Sequence, residues 1–145
     1  MILHTASEVI SLSEKLETVL ADFYENLSKK YDKDKLALLA FAKENRNNVK
    51  QITRAYQEVI TDAIEGCFAF NMNADDYALV VEPLESESYS RALSKAVEME
   101  EFMSKFYADA AEQSKTLLAD VPRSFAVLAR KRPARISELR SLISK

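Results

Sequence analysis

A single glycine, Gly66, and three prolines, Pro83, Pro122 and Pro133, leave this 145-residue chain little from which to build tight turns. Hairpin-rich β folds need left-handed turn residues at short intervals, so the scarcity points to long, uninterrupted helices. The apolar spacing agrees. Val9, Leu12, Leu16, Leu20, Phe23 and Leu27 recur at three and four residues behind Thr5-Ala6-Ser7-Glu8, a capping box of the S/T-x-x-E form. That pattern predicts a first helix over about 6–30. A second, capped by Asp32, is expected over about 33–66, with Gly66 as its left-handed stop. Residues 67–87 lose the period and contain Pro83, which predicts a long connection with a short helix or extended piece around "DDYALVV". A third helix, capped by Ser86 or Ser88, is expected over about 88–117. The fourth, capped by Asp120 with Pro122 in its first turn, is expected over about 121–143, kinked where Pro133 takes the partner from the Ala129 carbonyl. Two short links and one long one describe an all-α, antiparallel four-helix bundle with a long crossover link between helices 2 and 3, in one domain spanning 1–145.

Several function classes fall away on composition. The longest apolar run, Leu36 to Ala42, is far short of the ~18 residues needed to cross a bilayer. The opening "MILHTASEVI" lacks a basic n-region and an A-x-A-like cleavage site, and the lone Cys67 permits no internal disulfide, so a cytoplasmic location is expected. Cys67 reads as a small packing residue. With one glycine there is no phosphate-cradling loop, and with one histidine, His4, there is no nucleophile–base pair of the usual kind. The net charge of −3 hides an asymmetry: residues 120–145 carry seven Lys or Arg against Asp120 and Glu138, net +5, leaving −8 elsewhere. A basic end on an acidic body can steer an anionic partner or pair with acidic surface of the same or another subunit. The run Arg130-Lys131-Arg132 suggests nucleic acid at first sight, but on a helix the three side chains diverge, so nucleic-acid binding is not expected.

The chain also repeats itself. "LETVLADFYENL" and "MEEFMSKFYADA" share the spacing Glu17 to Tyr24 and Glu100 to Tyr107, with Leu16, Leu20 and Phe23 falling on Met99, Met103 and Phe106. "LAFAKENRNNVKQI" and "FAVLARKRPARISEL" match with Leu38 on Phe125, Phe41 on Leu128, Ala42 on Ala129 and Ile52 on Leu139. Two related helical hairpins can gather equivalent residues around a central point. Glutamate ahead of Phe-Tyr on helices 1 and 3, with apolar-x-x-apolar-Ala on helices 2 and 4, resembles the ferritin-like superfamily over nearly the whole chain. The rubrerythrin-type di-iron proteins are the nearest branch. The resemblance implies a second motif continuing Ala-x-x-Glu-x-x-His, two copies of which, with the two single glutamates, hold a pair of iron or manganese ions. It also implies paired bundles, hence a homodimer or other homo-oligomer.

The resemblance fails at the ligands. Three and six residues beyond Ala42 stand Asn45 and Asn48; beyond Ala129 stand Arg132 and Arg135. Of six implied ligands only Glu17 and Glu100 remain. Glu44 is an offset candidate, but its angular position away from Leu38, Phe41, Ile52 and Val59 turns it to solvent. Three readings stay open. Glu17 and Glu100 can pair with Arg132 and Arg135 in a buried ionic cluster, with Asn45 and Asn48 as hydrogen-bonding fill and Tyr24 and Tyr107 hydroxyls on the glutamates. A partial iron or manganese site, serving an oxidase or peroxidase, can use Glu17, Glu100 and Glu44. The two arginines can instead bind a small anion. Charge balance favours the first, because an inward glutamate needs a partner and two arginines match two carboxylates. The expected function is then an interaction or structural role on a degenerate di-iron scaffold without a cofactor. Met99, Phe102, Met103 and Phe106, at helical spacing, read as core or dimer interface.

Overall fold

The computed structural model describes residues 1–59, 70–77, 79, 88–115 and 120–144, which are mostly helical. In chain order the elements are strand β1 (Ile2–Leu3), α1 (Ala6–Lys30), α2 (Lys35–Val59), β2 (Met72–Asn73), a 3-10 turn (Ala74–Tyr77), α3 (Tyr89–Gln113), α4 (Asp120–Arg130) and α5 (Arg132–Ser144). No helix among them is long and apolar enough to cross a membrane.

α1 begins where the capping box requires. The Thr5 hydroxyl accepts from the Glu8 N–H at 3.2 Å, and Glu8 Oε1 accepts from the N–H groups of His4 and Thr5, both at 3.1 Å. Those two backbone donors, His4 first, hold the Glu8 carboxyl below the usual range. At the other end Lys29 and Lys30 face the negative end of the helix dipole, and extended backbone at Tyr31 stops the helix without a glycine.

α2 departs from expectation at its start. It opens at Lys35 rather than 33, behind Asp34, which adopts the left-handed conformation with φ 62°. Asp32 contributes its carbonyl, which accepts from the Lys35 N–H at 3.3 Å. A side chain far away in sequence holds the strained residue: the Tyr89 hydroxyl donates to Asp34 Oδ2 at 2.9 Å and to the Lys33 carbonyl at 3.1 Å. α2 is described to Val59, and the expected stop at Gly66 lies outside the described residues, as do Cys67, Pro83 and Ser86. Ser88 caps α3, accepting from the Arg91 N–H at 3.2 Å.

The fourth helix is broken rather than bent. α4 ends at Arg130, Lys131 is a turn, and α5 starts at Arg132 with Pro133 in its first turn. Proline has no N–H for the Ala129 carbonyl, and its ring would collide with that oxygen in a continuous helix. In a first turn neither defect matters.

The connection before α3 is both extended and helical. β1 and β2 pair antiparallel, Ile2 opposite Asn73 and Leu3 opposite Met72, and the 3-10 turn follows at once. Leu3 and Met72 point into the core while Ile2 is exposed. α1 packs on α2, α3 packs on α4 and α5, and the two groups meet through α2 with α4 and α1 with α3. One continuous core results, with Leu20, Leu27, Leu38, Ile52, Leu93, Met103, Phe106 and Phe125 fully buried. Met99 lies in that core and Phe102 packs against it, so the aromatic and methionine positions of α3 belong to the interior. Replacing Thr5 by Ala should cost about 1 kcal/mol by removing one side of the capping box. The check is a lower urea midpoint with an unchanged denaturant slope.

Candidate functional site

Charged and amide side chains occupy the middle of this apolar core. Glu17, Glu100, Asn45, Asn48, Arg132 and Arg135 are all buried, as are Tyr24 and Tyr107. Ordinary helical periodicity puts them there: Glu17 is flanked along the α1 stripe by Leu16 and Leu20, and Glu100 by Met99 and Met103 on α3. The break at Lys131 makes Arg132 the first residue of α5.

Arg132 joins the two carboxylates. Its Nη2 donates to both Glu17 oxygens, at 2.8 Å to Oε2, and its Nη1 donates to Glu100 Oε2 at 3.1 Å. Arg135 Nη1 donates to Glu100 Oε1 at 3.3 Å and to Asn45 Oδ1 at 2.7 Å, and its Nη2 donates to the Phe41 carbonyl at 3.2 Å. Asn45 closes the ring by donating from Nδ2 to Glu17 Oε1 at 2.9 Å. The two buried arginines and two buried glutamates balance in charge. Burial opposes the Arg132 charge, but Glu17 and then Glu100 outweigh it and push its pKa up.

The tyrosines cross over. Tyr24, on the helix of Glu17, donates to Glu100 Oε1 at 3.2 Å, while Tyr107, on the helix of Glu100, lies beside Glu17. The Arg132 guanidinium lies 5.5 Å from the Tyr107 ring centre, and that of Arg135 5.5 Å from Tyr24. The related hairpins thus exchange equivalent partners about the centre. Expectation needs one correction here: the hydrogen bond of the Tyr107 hydroxyl at 2.7 Å is shared with Ser13 Oγ, so Tyr107 is not held by the glutamate alone. Burial first, and then the adjacent carboxylate, raises both phenols well above the ordinary tyrosine range.

One further expectation needs correction, and one is met with an addition. Asn48 is buried but does not join the ring; its Oδ1 accepts from Lys131 Nζ at 3.3 Å, and its Nδ2 has no partner among the described residues. Glu44 is 46% exposed, as its angular position requires, yet its carboxylate turns back to Arg135 Nη2 at 3.0 Å. Sequence reasoning missed Ser13 and the Phe41 carbonyl. Ser13 sits one turn before Glu17 on the same stripe, which was a readable signal; a backbone carbonyl has none. His4 stays outside the site, its Nδ1 3.3 Å from the Phe70 carbonyl. Among the described residues no three His, Cys, Asp or Glu side chains converge as a metal site would need. The triplet Arg130-Lys131-Arg132 diverges: Arg130 is exposed, Lys131 is half-buried and Arg132 is in the core. Comparison of the chain with protein-family models, curated proteins and solved structures finds no match.

Removing Arg132 would leave two buried carboxylates under-compensated, so Arg132→Ala should destabilise by about 3–5 kcal/mol. Neutralising the whole group in Glu17→Gln/Glu100→Gln/Arg132→Met should cost less than Arg132→Ala alone, because no charge is stranded. Equilibrium urea unfolding of the two variants tests both statements. The phenols give a pH signature of known sign. Above about pH 10 the unfolded tyrosines release protons that Tyr24 and Tyr107 retain when folded, so stability falls as pH rises through that range. Tyr24→Phe/Tyr107→Phe should flatten this alkaline decline, measured as urea midpoint against pH.

Proposed function

We propose that this chain is a metal-free, ferritin-like four-helix bundle of the rubrerythrin type that has exchanged a di-iron centre for an ionic core, and that it serves as a non-enzymatic interaction or structural protein. The observation that carries the reading is the seat of Arg132 between Glu17 and Glu100, at 2.8 and 3.1 Å, on the axis where the repeated hairpins meet. In a di-iron relative cations occupy the space between such glutamates; here a guanidinium supplies the positive charge, and its fork suits carboxylates at two points.

The residues present do not fit iron or manganese. Both glutamates already accept from guanidinium N–H groups, and Glu17 also accepts from Asn45. The position a metal-binding histidine would hold on α5 carries Arg135, whose charge would repel a divalent ion. The core arginines are poor candidates for an exogenous anion as well, since Arg135 is engaged by Glu100, Asn45, Phe41 and Glu44. An interaction role draws support from Leu36 and Leu39 near the start of α2, which are 84% and 38% exposed. The repeat and the long connection between α2 and α3 support the ferritin-like topology, and paired bundles in a cytoplasmic homo-oligomer are part of the same proposal.

The deciding experiment is metal content by plasma mass spectrometry, on protein purified without chelator and incubated with Fe(II) or Mn(II). Near-zero metal is expected. Binding of about two ions per chain would overturn the proposal and restore an oxidoreductase.

A further inference from the structure

Seven of the eight arginines of this protein divide into two groups; the eighth, Arg91, lies on α3. Arg46, Arg132, Arg135 and Arg140 each meet a carboxylate: Asp22 and Glu25, Glu17 and Glu100, Glu44 and Glu100, and Glu101 respectively. Arg54, Arg123 and Arg130 are exposed and, among the described residues, have no carboxylate partner. All three lie on α2 or α4, the two helices that form one seam.

That seam contains a groove of about 300 Å³ lined by Gln51, Ile52, Arg123, Ser124, Val127 and Leu128. Its floor is apolar, with Ile52 and Leu128 buried. Its rim is polar and cationic: Arg123 lies on one wall, Gln51 on the other, and Arg54 stands one turn along α2 from Gln51. Lys131 reaches Gln51 Oε1 at 3.1 Å and Asn48 Oδ1 at 3.3 Å, both neutral acceptors, and meets no carboxylate among the described residues. Asn48 adds the buried Nδ2 donor that has no partner among the described residues. Val127, 36% exposed, keeps an apolar surface at the mouth.

An apolar floor under a cationic rim that meets no carboxylate among the described residues selects for a molecule of matching polarity. We infer that the α2–α4 groove binds a small amphipathic anion, an organic carboxylate whose apolar body lies on Ile52, Val127 and Leu128 and whose head meets the Arg123 guanidinium. The volume is at the lower limit of small-molecule sites and suits an acyl chain of modest length. Arg123 engages the head through charge-assisted hydrogen bonds, and Lys131 adds attraction at the other end of the groove. The site is separate from the ionic core, so its occupancy does not depend on the fate of Glu17 and Glu100.

Octanoate is the probe, titrated calorimetrically into the intact chain, with 1-octanol and inorganic phosphate as controls for its tail and its charge. Octanoate should bind once per chain with a sub-millimolar Kd, and neither control should bind comparably. Arg123→Gln should weaken octanoate about tenfold through loss of the charged contact. Val127→Asp should weaken it further by placing a carboxylate at the mouth. Both side chains are exposed, so melting temperatures should stay near that of the parent protein and report on folding independently. No octanoate binding at millimolar concentration, equal affinity for octanol or phosphate, or unchanged affinity in Arg123→Gln would each overturn the inference.

Discussion

The guanidinium of Arg132 between Glu17 and Glu100 is the constraint to which the rest of the interior answers. A carboxylate inside a helical core is costly unless its charge is met and its lone pairs are filled. Here both conditions hold by sharing: one fork serves two acids, Arg135 supplies the second positive charge, and Asn45 both donates to Glu17 and accepts from Arg135. Lysine could not replace Arg132, because an ammonium carries no planar pair of donors spaced to reach two carboxylates on different helices. The cluster also specifies geometry. Apolar residues tolerate sliding and repacking, whereas these hydrogen bonds fix the depth of α1, α3 and α5 relative to one another.

The aromatic shell follows from that centre. Phenol rings beside the guanidinium groups place π faces near positive charge, and the Tyr24 hydroxyl adds a donor to Glu100. Glu17 takes its guanidinium from the second hairpin, and Arg135 there gives donors to Asn45 and the Phe41 carbonyl of the first, so each hairpin carries buried polar groups that the other meets. Polar satisfaction in this core is therefore a property of both halves docked together.

Much of this was legible in the sequence, for reasons that differ residue by residue. Glu17 and Glu100 were visible because each interrupts an apolar stripe and the interruption repeats; Arg132 and Arg135 were visible because the second repeat places them on the face of Phe125, Leu128 and Leu139. The capping box and Ser88 carry their own local chemistry and were readable without tertiary context. The opening of α2 was not. Asp32 is a good cap by composition, but the choice of Asp34 depends on Tyr89, 55 residues away in sequence. Two-residue pairing between Ile2–Leu3 and Met72–Asn73 is too short to show a period. Glu44 illustrates a limit of angular reasoning: its backbone faces outward, but two long side chains still close the gap to Arg135. Pro133 announced a disturbance, and only the carbonyl clash decides between a bend and a break.

The left-handed turn at Asp34 bears on the order in which the molecule assembles. A non-glycine residue at positive φ is disfavoured in an isolated segment, and the hydroxyl that steadies it arrives with α3. Before α3 docks, helices α1 and α2 can form and lie side by side, but the corner joining them lacks the Tyr89 hydroxyl. A group that steadies the corner of the first hairpin thus comes from the second, so the backbone of the early half depends in part on a residue made later.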